Sequence, residues 1–168
     1  EAIKAVLAKN AHPRMIMITR EQAFEAAVGK DIPATQSTLP AVAQKVEASL
    51  TKLGWKFVDP AVLAGKVHLE NMKTSDLAGL NGRDYAVNGA EYVLLGMVTI
   101  EPIVLYGLQF YKAKVVAYIK ATDSGETVAS VSTESSPTKL KAAETGAAQD
   151  WVAGEVEKAL SKQVLEYF

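Results

Sequence analysis

The stretch that most constrains this chain runs from residue 91 to residue 121. EYVLLGMVTI at 91–100 is apolar at nearly every position, so both faces need cover, and it reads as a strand inside a sheet. From 110 to 121 the pattern changes. Ala113, Val115, Ala117 and Ile119 alternate with Lys112, Lys114, Val116, Tyr118 and Lys120, the period of two that gives a strand one buried and one largely solvated face. The two strands form a hairpin that feeds a core. EPIVLYGLQF at 101–110 is then the connection, and it is far more apolar than a hairpin loop should be.

The surroundings of this hairpin follow from local signals. RMIMIT at 14–19, after Pro13, is a short apolar run and reads as a buried strand. Residues 21–36 read as a loop holding at most a turn of helix at 21–28. Leu39, Val42, Ala43, Val46, Leu50 and Leu53 recur at helical spacing, with Ser37 or Thr38 as cap, Pro40 in the first turn and Gly54 as the stop. WKFV at 55–58 follows as a strand, and strand, helix, strand implies a parallel crossover.

Asp59-Pro60 opens a short helix ending near Gly65, and TSD at 74–76 is a second capping signal before Leu77, Leu80 and Tyr85. TDSGE at 122–126 is a tight turn, 127–133 a last strand, and 138–167 a long helix in which Gly146 and Gly154 predict a kink or a close contact. The expected fold is α/β (α+β): a mixed sheet of about five strands sandwiched by helices, in the order β-α-β-α-β-β-β-α. The helices at 38–53 and 138–167 should both pack on the sheet that holds the central strand.

Residues 13–168 read as a single α/β sandwich domain, and residues 1–10 as the tail of an upstream helix or a flap on the domain. The chain opens on Glu1 with no signal peptide in it, and the expectation is either a targeting segment removed or a piece excised from something longer. A net charge of -1 gives no electrostatic footprint for nucleic acid, and no apolar run is long enough to span a bilayer. With no cysteine, disulfides, thiolate nucleophiles and sulfur-ligated metals are excluded together.

At 89–96 the residues GAEYVLLG resemble the "GADYVLxG" strand of a group of bacterial envelope domains. TDSGETV at 122–128 is similar to that group's "DxxTGEVL" turn, and PRMIMI at 13–18 to its opening strand. The group is typified by the TolB amino-terminal domain, the curli secretion component, the penicillin-binding-protein activator lipoprotein and the middle domain of flagellar assembly protein T. The element order from 13 to 168 agrees too. Glu91 stands where aspartate is common, and no lipobox is present. The resemblance implies a non-catalytic structural or interaction domain of a cell-envelope assembly such as a flagellar or secretion complex. It also implies a periplasmic location and often a lipid anchor upstream.

The residues themselves name no catalyst. His12 and His68 lie in different segments, and a locally bonded histidine explains each better than a metal; no metal and no cofactor is expected. No serine elbow, Walker loop or dinucleotide fingerprint occurs. Trp55, Phe57, Tyr92 and Trp151 read as core aromatics.

The expected partner is a protein or a second copy of the chain, with neither nucleic acid nor membrane insertion by this segment. The expected contact surface is Ile103, Val104, Leu105, Tyr106, Leu108 and Phe110, with strand extension of the hairpin as the competing explanation. The alternative reading is a small-molecule or peptide-binding domain, or a weak hydrolase, with its pocket near Thr19, Arg20, Glu21 and Asp59 at the carboxyl ends of the parallel strands.

Overall fold

The protein is described from a computed structural model that covers residues 2–23, 35–36, 41–60, 72–136, 139–141 and 145–168. Strands β1 (Arg14–Ala23), β2 (Thr35–Gln36), β3 (Lys56–Val58), β4 (Tyr92–Leu105), β5 (Leu108–Ala121), β6 (Thr127–Glu134) and β7 (Leu140–Lys141) make one mixed sheet. Helices are α1 (Ala2–Lys9), α2 (Ala41–Leu53) and α3 (Thr145–Tyr167).

Five strands carry the sheet in the order β3-β1-β4-β5-β6, with β2 pairing the far end of β1 and β7 the near end of β5. The crossover through α2 is parallel, Met15 lying beside Phe57, and β1 also runs parallel to β4, Met17 beside Leu94. Strands β4, β5 and β6 form an antiparallel meander.

The central strand is buried on both faces because two different layers cover it. Leu94, Val98, Ile119 and Val115 face the helices, where Leu7 of α1, Val42, Val46 and Leu50 of α2, and Val152, Val156 and Leu160 of α3 complete the main core. Both α2 and α3 pack on this one face.

Val93, Leu95, Met97 and Val116 face the other way, onto Leu77, Tyr85 and Ala90. That layer is two 3-10 turns, Thr74–Gly79 and Gly82–Tyr85, where a helix pattern was expected. Asp76 accepts from the Lys73 N–H at 2.8 Å and Asn81 from the Arg83 N–H at 3.1 Å, so short polar caps hold each turn. Gly82 permits the close approach, since a Cβ there would meet the Ala121 carbonyl oxygen at 2.5 Å.

This second layer corrects the expectation that β5 has a largely solvated face. Lys120 is only 2% exposed. Its Nζ donates to the carbonyl oxygens of Ala78 and Leu80 and lies 5.7 Å from the Tyr118 ring centroid, which clips the turns to the sheet. Burial pushes the Lys120 ammonium pKa down.

The final helix starts at Thr145, later than expected. Leu140, read as part of the helical stripe, instead pairs with Tyr111 in β7 and is buried there, so sheet pairing overrides a local helical pattern. Gly154 produces no close contact, for a Cβ there would meet nothing within 4 Å. The first strand runs on to Ala23, beyond the expected end at Thr19. Residues 21–23, expected to open a helix turn at 21–28, are strand instead; the rest of that turn, the caps Ser37 and Thr38, Pro40, the short helix expected after Pro60, and His68 fall outside the described residues.

At the far edge of the sheet, the Gln163 side-chain amide bonds the backbone of Ser130 in β6. Gln163 Oε1 accepts from the Ser130 N–H at 2.8 Å, and Gln163 Nε2 donates to the Ser130 carbonyl oxygen at 2.5 Å. An amide from α3 thus takes the place of a neighbouring strand at mid-edge.

Candidate interaction surface

The apolar connection is not a loop. Fourteen residue pairs join β4 to β5 in unbroken register from Tyr92↔Ala121 to Leu105↔Leu108, and only Tyr106 and Gly107 turn between them. Both have positive φ, 54° and 73°, the two-residue hairpin geometry that matches strand twist.

Pro102 sits inside β4 without harm. Described pairing with β1 reaches Ala23↔Ile100, so among the described residues no strand lies beside Pro102 on that side and its missing N–H breaks no ladder. Among the described residues, the pairs nearest the turn have no further strand beside them.

Six hairpin residues were expected to form the contact surface, and they separate by exposure. Val104 is 65% exposed, Tyr106 94% and Leu108 61%. Ile103 and Leu105 are half-buried. Phe110 is a correction to the expected surface: it is 7% exposed, beside Lys141 of β7 in the sheet, so the added strand takes it out of solvent. By alternation Leu105 and Leu108 share one face, Val104 lies on the other, and Tyr106 caps the apex. The exposed tip is apolar on both sides, a blunt wedge of Val104, Tyr106 and Leu108. At its base Lys112 and Lys114 both approach Glu134, at 3.2 and 3.7 Å.

The pocket expected at the carboxyl ends of the parallel strands forms only in part. An open groove of about 590 Å³ lies between β1, the end of β3 and α2, with Thr19, Glu47, Phe57, Asp59 and Pro60 among its walls. Arg20 does not point into it. On the opposite face of β1, Arg20 donates from Nη1 to the Met72 carbonyl at 2.8 Å and from Nη2 to Met97 Sδ at 3.3 Å. Alternation along β1 forces this, since neighbours at 19 and 20 take opposite faces. The Glu21 side chain lies outside the described residues.

No group of three or more metal-ligating side chains comes together among the described residues. His12, the histidine within them, hydrogen-bonds through Nδ1 to the Gly54 carbonyl at 3.0 Å. Among the described residues no helix is long and apolar enough to cross a membrane.

Two residues carried no readable signal. Lys120 sits in phase with Lys112 and Lys114 and looks like a third solvated lysine. Nothing in the sequence around Gln163 marks it as the partner of a strand 33 residues away.

No family model and no curated protein matches the chain. Solved structures do. A lipoprotein from Neisseria meningitidis matches at TM-score 0.45 with 13% identity, over 84% of this chain and 99% of its own. A minor lipoprotein from Acinetobacter baumannii matches at 0.42 with 11% identity, over 93% and 94%. A hypothetical protein from Chlamydia trachomatis matches at 0.47 with 7% identity, over 89% and 99%. At such scores and identities these likenesses carry nothing about function.

Proposed function

We propose that this chain is a non-catalytic interaction domain of a bacterial cell-envelope assembly, and that the β4–β5 hairpin tip is its contact surface. The observation that carries the reading is Tyr106. A bulky aromatic occupies a left-handed turn position, φ 54°, where asparagine or glycine costs less, and it is 94% exposed. Its ring gains nothing from the fold at that exposure. A tyrosine kept there against local backbone preference, flanked by exposed Val104 and Leu108, has the composition of a binding anchor.

The envelope setting rests on the resemblance of 89–96, 122–128 and 13–18 to the TolB-like group. A periplasmic location and an anchor upstream are parts of the same proposal.

The test pairs two substitutions, Tyr106→Asn and Leu108→Asp, with light scattering of the purified protein and photo-crosslinking from position 106 in the intact envelope. Both variants should keep the wild-type Tm while a discrete crosslinked partner or self-associated species disappears. Unchanged association, or a Tm drop of the size of a core substitution, removes the hairpin as a contact surface.

A further inference from the structure

Helix α1 and the turn that joins it to β1 pull in opposite directions. Leu7 is wholly buried and Ile3 nearly so, and both belong to the main core, where α1 lies against α2 and α3. They stand four residues apart on one face of an eight-residue helix that is too short to be stable alone. The turn at 10–12 opposes this docking. Ala11 has φ 60° and His12 φ 53°, the one place among the described residues where two successive non-glycine residues are left-handed. A Cβ makes that geometry unfavourable, and asparagine, which tolerates it better, stands one position too early at Asn10. Pro13 adds to the strain, since the residue before a proline prefers an extended backbone.

Short-range hydrogen bonds hold the turn in this shape. The Ala11 N–H donates to the Ala8 carbonyl at 3.2 Å and the His12 N–H to the Leu7 carbonyl at 2.9 Å, while the Asn10 side chain donates to the Val6 carbonyl at 2.9 Å. His12 Nδ1 adds the bond to Gly54 already described. Asn10, Ala11 and His12 are exposed, so water can take over these bonds once the turn straightens.

We infer that α1 is an exchangeable element: in a dimer the turn at 10–12 straightens, and the Ile3 and Leu7 face of α1 docks into the same slot of a second copy of this chain. The occupant is a second copy because its α1 reproduces each contact that the slot makes in the closed chain. An empty slot would leave a void in the main core where Leu7 now sits, and a twin helix fills it without repacking. The difference between closed monomer and exchanged dimer is then the turn, and each dimer relieves it twice. Straightened, residues 10–12 span about 10 Å. They then run on into β1, whose extended backbone begins at Arg14.

The test uses the full chain carrying Leu108→Asp, which takes the hairpin tip out of any dimer. Refolding at about 1 mM should give a dimer that returns to monomer slowly on dilution, because α1 must leave its slot first. In dimers made from isotope-labelled and unlabelled copies, filtered nuclear Overhauser spectra should connect the Ile3 and Leu7 methyls of one copy to α2 and α3 of the other. Ala11→Gly, which relaxes the closed turn, should weaken dimerisation at least about tenfold. Ala11→Val, which fits the left-handed position worse, should strengthen it by about the same factor. The inference is overturned by no dimer at about 1 mM. A dimer whose α1 contacts all fall within one copy overturns it too, as does an Ala11→Gly variant that associates unchanged. A lowered Tm of Ala11→Val with no dimer also overturns it, since strain then opens the helix without exchange. Association through the hairpin survives Ala11→Gly, so the two surfaces fail separately.

Discussion

The lower and upper halves of the β4–β5 hairpin are built from the same kind of residue and live in different environments. From Tyr92 to Ile100 the strand has helices on one face and the 3-10 turns on the other, and Val93, Leu94, Leu95 and Met97 are almost wholly buried. From Glu101 to Leu105 the same strand, in the same register with β5, carries Ile103, Val104 and Leu105 into partial or full exposure. The comparison teaches that apolar strand sequence states a need for cover and does not say who provides it. Below Ile100 the chain covers itself; above it, the described residues leave Val104, Tyr106 and Leu108 in solvent.

Four measurements sharpen or break this contrast. Leu94→Ala, in the covered half, should destabilise by about 2–5 kcal/mol in denaturant unfolding, by lost transfer energy and a cavity between sheet and helices. A loss below about 1 kcal/mol would mean that the lower half is not the core.

Lys120→Met tests the second layer. It leaves the Ala78 and Leu80 carbonyls without their donor, which should cost about 1–3 kcal/mol and raise hydrogen exchange in residues 74–85 before the rest of the molecule. Uniform exchange would show that the turns do not depend on the clip.

Gly96→Ala should go the other way. A Cβ at Gly96 would sit at ordinary contact distance, 3.5 Å from Thr19 Cγ2 and 3.6 Å from Ala117 Cβ, beside an apolar hollow under α2. A gain of about 0.5–1 kcal/mol is expected from backbone entropy and added contact. Destabilisation would show the hollow is already closed.

The smallest effect belongs to the exposed half: Leu108→Asp and Tyr106→Asn should change stability by less than about 0.5 kcal/mol.

One titration reports on the covered half as well. Tyr92, where β4 enters the core, has its pKa pushed up from 10.0 to about 12, by burial first and then by Tyr167, Glu91 and Asp123. The folded state therefore prefers the neutral phenol. That preference is fully available below the unfolded pKa near 10 and is lost as pH rises toward 12, so stability should fall across that window. Tyr92→Phe should flatten the fall, and an unchanged alkaline slope would place its cause elsewhere.

Much of this architecture was legible in the sequence, since period and punctuation state local structure directly. The parallel crossover followed from the apolar run at 14–19, the Leu39 to Leu53 stripe and Gly54. The meander followed from the turn at 122–126, where Gly125 takes φ 78°. What was not legible depends on pairing between distant segments. Glu101-Pro102 looks like the end of a strand, and it is inside one because Lys112 and Tyr111 of β5 pair with it. Leu140 looks helical until Tyr111 is known to lie beside it, and burial at Lys120 needs the turns at 74–85 to arrive over β5. The hairpin tip was found for its composition, while the groove at Thr19 was expected to collect Arg20, which strand alternation sends to the other face.

The amide of Gln163 on Ser130 also decides what kind of assembly the sheet can join. A sheet with two open edges can receive a strand on one side and offer one on the other, and copies of it can then string together without end. Here β6 is stoppered at its middle by a side chain of the chain's own last helix. With β6 closed in this way, a strand added at another edge would be a terminus rather than a link. Growth to higher order would have to run through side-chain contacts such as the hairpin tip, where symmetry can close a ring.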